Sequence, residues 1–80
     1  MPLYMARYHA YRGEYDRSME ALGAFKPKTM YDRVHVAMLR ARNALALGDA
    51  DTAREALRFV AEKGNKLYIA AEARRLLETL

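Results

Sequence analysis

Apolar side chains recur at spacings of three and four through most of this chain, the period of a helix with one buried face. Tyr15, Ser18, Met19, Leu22 and Phe25 make one such stripe, and Val34, Ala37, Met38, Ala41, Ala44 and Leu45 a longer one. Ala53, Ala56, Leu57 and Val60 form a third; Ile69, Ala70, Ala73, Leu76, Leu77 and Leu80 form a fourth. No segment alternates apolar and polar residues with the β-branched and aromatic enrichment of a strand.

Gly13, Pro27, Gly48 and the Gly64-Asn65 pair punctuate the stripes and divide the chain into five predicted helices. The first runs from about Leu3 to Arg12, with Pro2 at a first-turn position where its missing N–H costs nothing. Gly13 ends it, Glu14 or its neighbours start the second, and Pro27 stops that one. Thr29 caps the third, with Asp32 as a weaker capping-box partner, and Gly48 ends it. Asp49 caps the fourth, Gly64 closes it, and Asn65 caps the fifth. Short connections make successive helices antiparallel neighbours in one domain spanning residues 1–80.

The stripes also repeat one another. Ala6-Arg7 recurs as Ala41-Arg42, Gly13-Glu14 as Gly48-Asp49, Ser18 as Ala53, and Glu20-Ala21-Leu22 as Glu55-Ala56-Leu57, always 35 residues on. Self-similarity at this period marks stacked helical hairpins, none of which buries its apolar face alone.

With these residues the chain resembles the tetratricopeptide repeat (TPR) family. Gly13-Glu14-Tyr15-Asp16 and Gly48-Asp49-Ala50-Asp51 match its tight turn, Ser18 and Ala53 its small helix B residue, Ala6 and Ala41 its small helix A residue, and Leu22 and Leu57 its large helix B position. Lys26-Pro27 and Gly64-Asn65 fall where units end. His9 and Ala44 stand in place of the usual aromatic, and Met5 and Arg40 in place of the usual leucine. The resemblance implies an all-α, short right-handed solenoid: one repeat over about 3–26, a second over about 30–63, and a capping helix over about 66–80. It also implies a scaffold for protein binding in a concave groove lined by the odd-numbered helices.

Charge sharpens that expectation. The net charge is +4, yet the first, third and fifth helices, counted with Lys66, hold eight basic and three acidic residues, whereas the second and fourth with their caps hold four and seven. Arg7, Arg42 and Arg74 each follow an alanine, and stacking in register would line them up as a ladder of planar donor forks suited to carboxylates. Tyr11, His35, Met38 and Leu45 are the other expected peptide-binding residues, with Leu3 and Ala70 near them. The expected partner is an acidic or C-terminal peptide. The family's carboxylate clamp for chaperone tails uses lysine and asparagine, and arginine stands where the asparagines would be, so that specificity is not expected.

Other classes have less behind them. Without cysteine, a disulfide framework and a thiolate metal site are excluded. His9 and His35, with Asp32, are the one combination worth weighing for a metal, and isolated histidines on helices more often pack or face solvent; no metal, cofactor or catalytic site is expected. There is no stretch apolar enough to span a bilayer and no secretory pattern at the N-terminus, which leads to a soluble, cytoplasmic expectation. The alternatives are a structural or self-associating unit, whether a fragment or an engineered chain, joining through apolar array ends, and a nucleic-acid-binding helical domain, against which the acidic second and fourth helices would act.

Overall fold

The computed structural model describes residues 2–65 and 67–80. These form five helices: α1 (Pro2–Tyr11), α2 (Tyr15–Ala24), α3 (Met30–Leu47), α4 (Ala50–Lys63) and α5 (Tyr68–Glu78). Each packs against the next, and α1 also reaches α3. No described helix is long and apolar enough to cross a membrane.

The turns of the two repeat copies are built alike. Gly13 and Gly48 both take left-handed backbone, with φ of 79° and 80°, which glycine adopts without a steric penalty. The residue after each glycine then donates its N–H back across the turn. Glu14 donates to the His9 carbonyl and Asp49 to the Ala44 carbonyl, both at 2.8 Å. Next, Ser18 and Ala53 bond the Glu14 and Asp49 carbonyls at 3.0 and 3.1 Å to open α2 and α4. Ala6, Ser18 and Leu22 are buried, as are Ala41, Ala53 and Leu57. The sequence repeat is therefore a repeat of local geometry and of burial.

The core has two parts. Val34, Ala37, Met38 and Ala41 of α3 meet Leu57 and Val60 of α4 and Ile69 and Ala73 of α5. Ala6, Leu22 and Val36 form the smaller part, with Leu3, Met19 and Phe25 against it. Helix α3 is thus covered on two sides, by α1 and α2 and by α4 and α5, and its buried stripe is wider than one apolar face: Val36 and Asn43 are buried too.

Polar groups join the first hairpin to α3. The Ser18 hydroxyl donates to the Ala6 carbonyl at 2.7 Å, and the Asn43 amide donates to the Ser18 oxygen at 2.8 Å. Asn43 is 1% exposed, and its Oδ1 has no partner among the described residues.

Two boundaries differ from expectation. Helix α2 ends at Ala24, before Pro27, leaving a longer connection to Thr29. Asn65 does not cap α5; Leu67 precedes that helix in extended backbone without a side-chain cap. Asn65 instead takes φ of 49° in the turn. Gly64 has right-handed backbone and is needed for a different reason: a Cβ there would lie 2.6 Å from the Val60 oxygen and 2.8 Å from the Ala70 Cβ. It lets α5 cross close to the end of α4. Lys66, counted with the fifth helix above, lies outside the described residues, as does Met1.

Candidate functional site

The seven residues expected to bind a peptide have different surroundings. Arg7 and Tyr11 are exposed on α1, Tyr11 almost wholly, at 93%. His35 lies against Tyr31, with ring centroids 4.3 Å apart. Met38 is 6% exposed and fills the core between α3, α4 and α5, so its side chain serves packing. Leu45 is half-buried.

Two arginines of the expected ladder, Arg42 and Arg74, are engaged within the chain by different partners. Arg42 donates to Glu72 of α5, whereas Arg74 turns the other way and donates to the Ala61 carbonyl of α4 at 2.9 Å. One step along a helix rotates a side chain by about 100°, and α5 buries Ile69, Ala70 and Ala73 together. That puts Arg74 on the α4 side and Arg75 on the α3 side. Arg75 is the residue that joins Arg42, its guanidinium 3.8 Å from the same Glu72 carboxylate. The carboxylate that two guanidinium groups would grip is thus supplied by the chain itself.

A different groove is open. It lies over α3 between the end of α2 and the outer side of α4, with a volume of about 400 Å³. Val36, Ala37 and Ala56 make a buried, apolar floor. Phe25 and Pro27 stand on one side and Phe59 on the other. Arg33 and Arg40 also line it. Each lies about one helical turn from the Val36-Ala37 floor, in opposite directions along α3. Neither makes an ion pair among the described residues. Thr52 and Glu55 of α4 flank the Arg40 end.

Arg33 and Arg40 are two of the basic residues counted above on the third helix. Their spacing around Val36 and Ala37 was readable as a cation, apolar, cation pattern. Its meaning depends on the gap left between α2 and α4, which no pattern within α3 reveals.

A third feature is the outer side of α1. Tyr4, Tyr8 and Tyr11 are all exposed there at helical spacing, and the Arg12 guanidinium lies 5.6 Å from the Tyr8 ring centroid. At the end of this helix His9 Nδ1 lies 2.8 Å from a Glu14 oxygen. That hydrogen bond, with Arg12 and the charge of His9 adding to it, holds the Glu14 carboxyl below its usual value of 4.5. The two imidazoles are engaged separately, His9 by Glu14 and His35 by Tyr31.

Comparison of the chain with protein-family models, with curated proteins and with solved structures gives no match.

Proposed function

We propose that this chain is a non-catalytic protein-interaction module that receives an acidic segment of a protein partner. The observation that carries the reading is the groove over α3, where a buried apolar floor lies between two arginines with no acidic partner among the described residues. Guanidinium groups bind carboxylates through paired N–H donors, and an apolar pocket beside them supplies the buried contact from which interface affinity mostly comes. The architecture belonging to this reading is two stacked hairpins and a closing helix, in the manner of tetratricopeptide repeats. The matched turns at Gly13 and Gly48 support it.

The test is direct binding. A fluorescein-labelled glutamate-rich peptide is titrated into the whole chain and followed by anisotropy, with a lysine-rich peptide as control. The acidic peptide binds and the basic one does not; the double variant Arg33→Gln, Arg40→Gln loses the binding, and Arg42→Ala, whose arginine is already paired with Glu72, retains it. Loss on Arg42→Ala with no effect of the double variant would move the site to the α3–α5 face.

Self-association is a second reading, favoured by the exposed tyrosines of α1. Tyrosine gives large amphipathic contact area at low entropic cost, and the ends of hairpin arrays need polar caps to remain single. Sedimentation velocity over a concentration series tests it, and a single species of monomer mass throughout would reject it.

A further inference from the structure

We infer that the groove over α3 selects its ligand by residue order: one bulky apolar side chain with a carboxylate on each side of it. This rests on the reading of the groove as the surface that receives an acidic segment, and adds what that segment must contain.

Residues 33, 36, 37 and 40 share one face of α3, so that along the helix the floor lies midway between two arginines whose backbone positions are about 10 Å apart at 1.5 Å per residue. Phe25, just past the end of α2, and Phe59 of α4, both half-buried, line the groove. A cavity of about 400 Å³ accepts a large side chain and not a whole helix, whose body with side chains is about 10–12 Å across. The ligand backbone therefore passes over the groove and inserts an anchor. From an anchor seated on Val36 and Ala37, ligand positions to either side pass Arg33 and Arg40. Two carboxylates placed there each meet a cation, whereas two placed on the same side leave one arginine without a counterion. Glu55 at the Arg40 end makes that position the weaker of the two.

The same groove discriminates against other anions by shape. A purely acidic segment leaves the apolar floor wet, and a purely apolar one leaves both cations unpaired. Neither uses the whole surface, and specificity follows from the difference.

Three labelled peptides of about twelve residues, long enough to cross the groove in any conformation, test the order. The first carries leucine between two glutamates, the second the same residues with both glutamates on one side, and the third the first sequence with alanine for leucine. All are titrated into the full chain in low salt. The expected result is that the first binds about tenfold more tightly than either of the others, a difference typical of one well-placed anchor or charge. Arg33→Gln and Arg40→Gln, each checked for unchanged helical content, then both weaken the first peptide, and only one of the two weakens the second. If all three peptides bind equally and the arginine variants weaken them, the order rule is overturned while acidic recognition stands. If none binds, both readings fall. Because the peptides alone decide the order, the result does not depend on any variant folding.

Discussion

Ser18 and Ala53 occupy the same place in the two copies of the repeat, and one hydroxyl separates them. In the first copy it ties α1, α2 and α3 together through the Ala6 carbonyl and the Asn43 amide; in the second the seam is apolar. A buried hydrogen bond contributes modestly, but a buried partner left alone costs about 1–3 kcal/mol. Ser18→Ala strands the Asn43 amide, so it is expected to destabilise by that amount although it copies the residue of the other repeat. Asn43→Ala is expected to cost a similar amount. The two residues act through one link, so the double variant should fall short of the sum by about 0.5–3 kcal/mol. Urea denaturation of the four proteins measures the cycle, and strict additivity would show that the link carries no energy. Asn43 itself was not legible as a core residue, since nothing in an isolated helix says that a polar position will face a hydroxyl on its neighbour.

At the scale of elements, the turns and caps carry the predictions. Gly64→Ala places a methyl group within 3 Å of backbone oxygen on one side and of the Ala70 Cβ on the other. Overpacking of this kind costs about 1–3 kcal/mol, and thermal unfolding should show a lowered Tm. Gly23→Ala, where nothing lies near the added atom, should be stable by comparison and so serves as the control for composition.

The acidic residues beginning α2 and α4 add a pH dependence. Asp49 accepts from the Thr52 hydroxyl at 2.6 Å and from the Thr52 N–H at 3.1 Å, and these bonds hold its carboxyl below its usual value of 3.8. Glu14 is held low by His9. A carboxyl with a lower value in the folded chain stabilises it fully above the unfolded value and loses that contribution as pH falls through the folded one. Stability should therefore decline as the pH drops below about 4.5, the ordinary range of carboxylates. Asp49→Asn keeps a capping oxygen without the titration, and its unfolding midpoint should respond less to acid in this range.

Much of this level was readable from the chain. The caps Thr29 and Asp49, the left-handed Gly13 and Gly48 and the whole stripe of α4 follow from local rules, and α4 shows its stripe cleanly because one continuous face is buried. Readability fails where two helices must be known at once. The close approach at Gly64 depends on Ala70, the extra buried residues of α3 depend on cover from both sides, and the turn of Arg74 toward α4 depends on how α5 seats its alanines.

For the molecule as a whole, salt separates the two ways in which it could meet another protein. The groove draws an acidic segment to two arginines with no acidic partner among the described residues, and screening weakens that attraction once the Debye length falls below the distance over which it acts. Contact between copies through α1 has the opposite electrostatics. Arg7 accompanies the exposed tyrosines, and although Arg12 is paired with Glu14, α1 itself holds no acidic residue, so two such faces repel until salt screens them, while the aromatic contact persists. Peptide affinity measured by anisotropy should thus fall between about 50 mM and 500 mM sodium chloride as the Debye length shrinks. Any self-association measured by sedimentation should rise over the same range. Variants divide the effects further: replacing Tyr4 and Tyr11 with alanine should abolish association and leave peptide binding intact, and replacing Arg33 and Arg40 with glutamine should do the reverse. If salt moved both measurements in the same direction, one surface would have to serve both, and the separation of a groove over α3 from an aromatic face on α1 would be wrong.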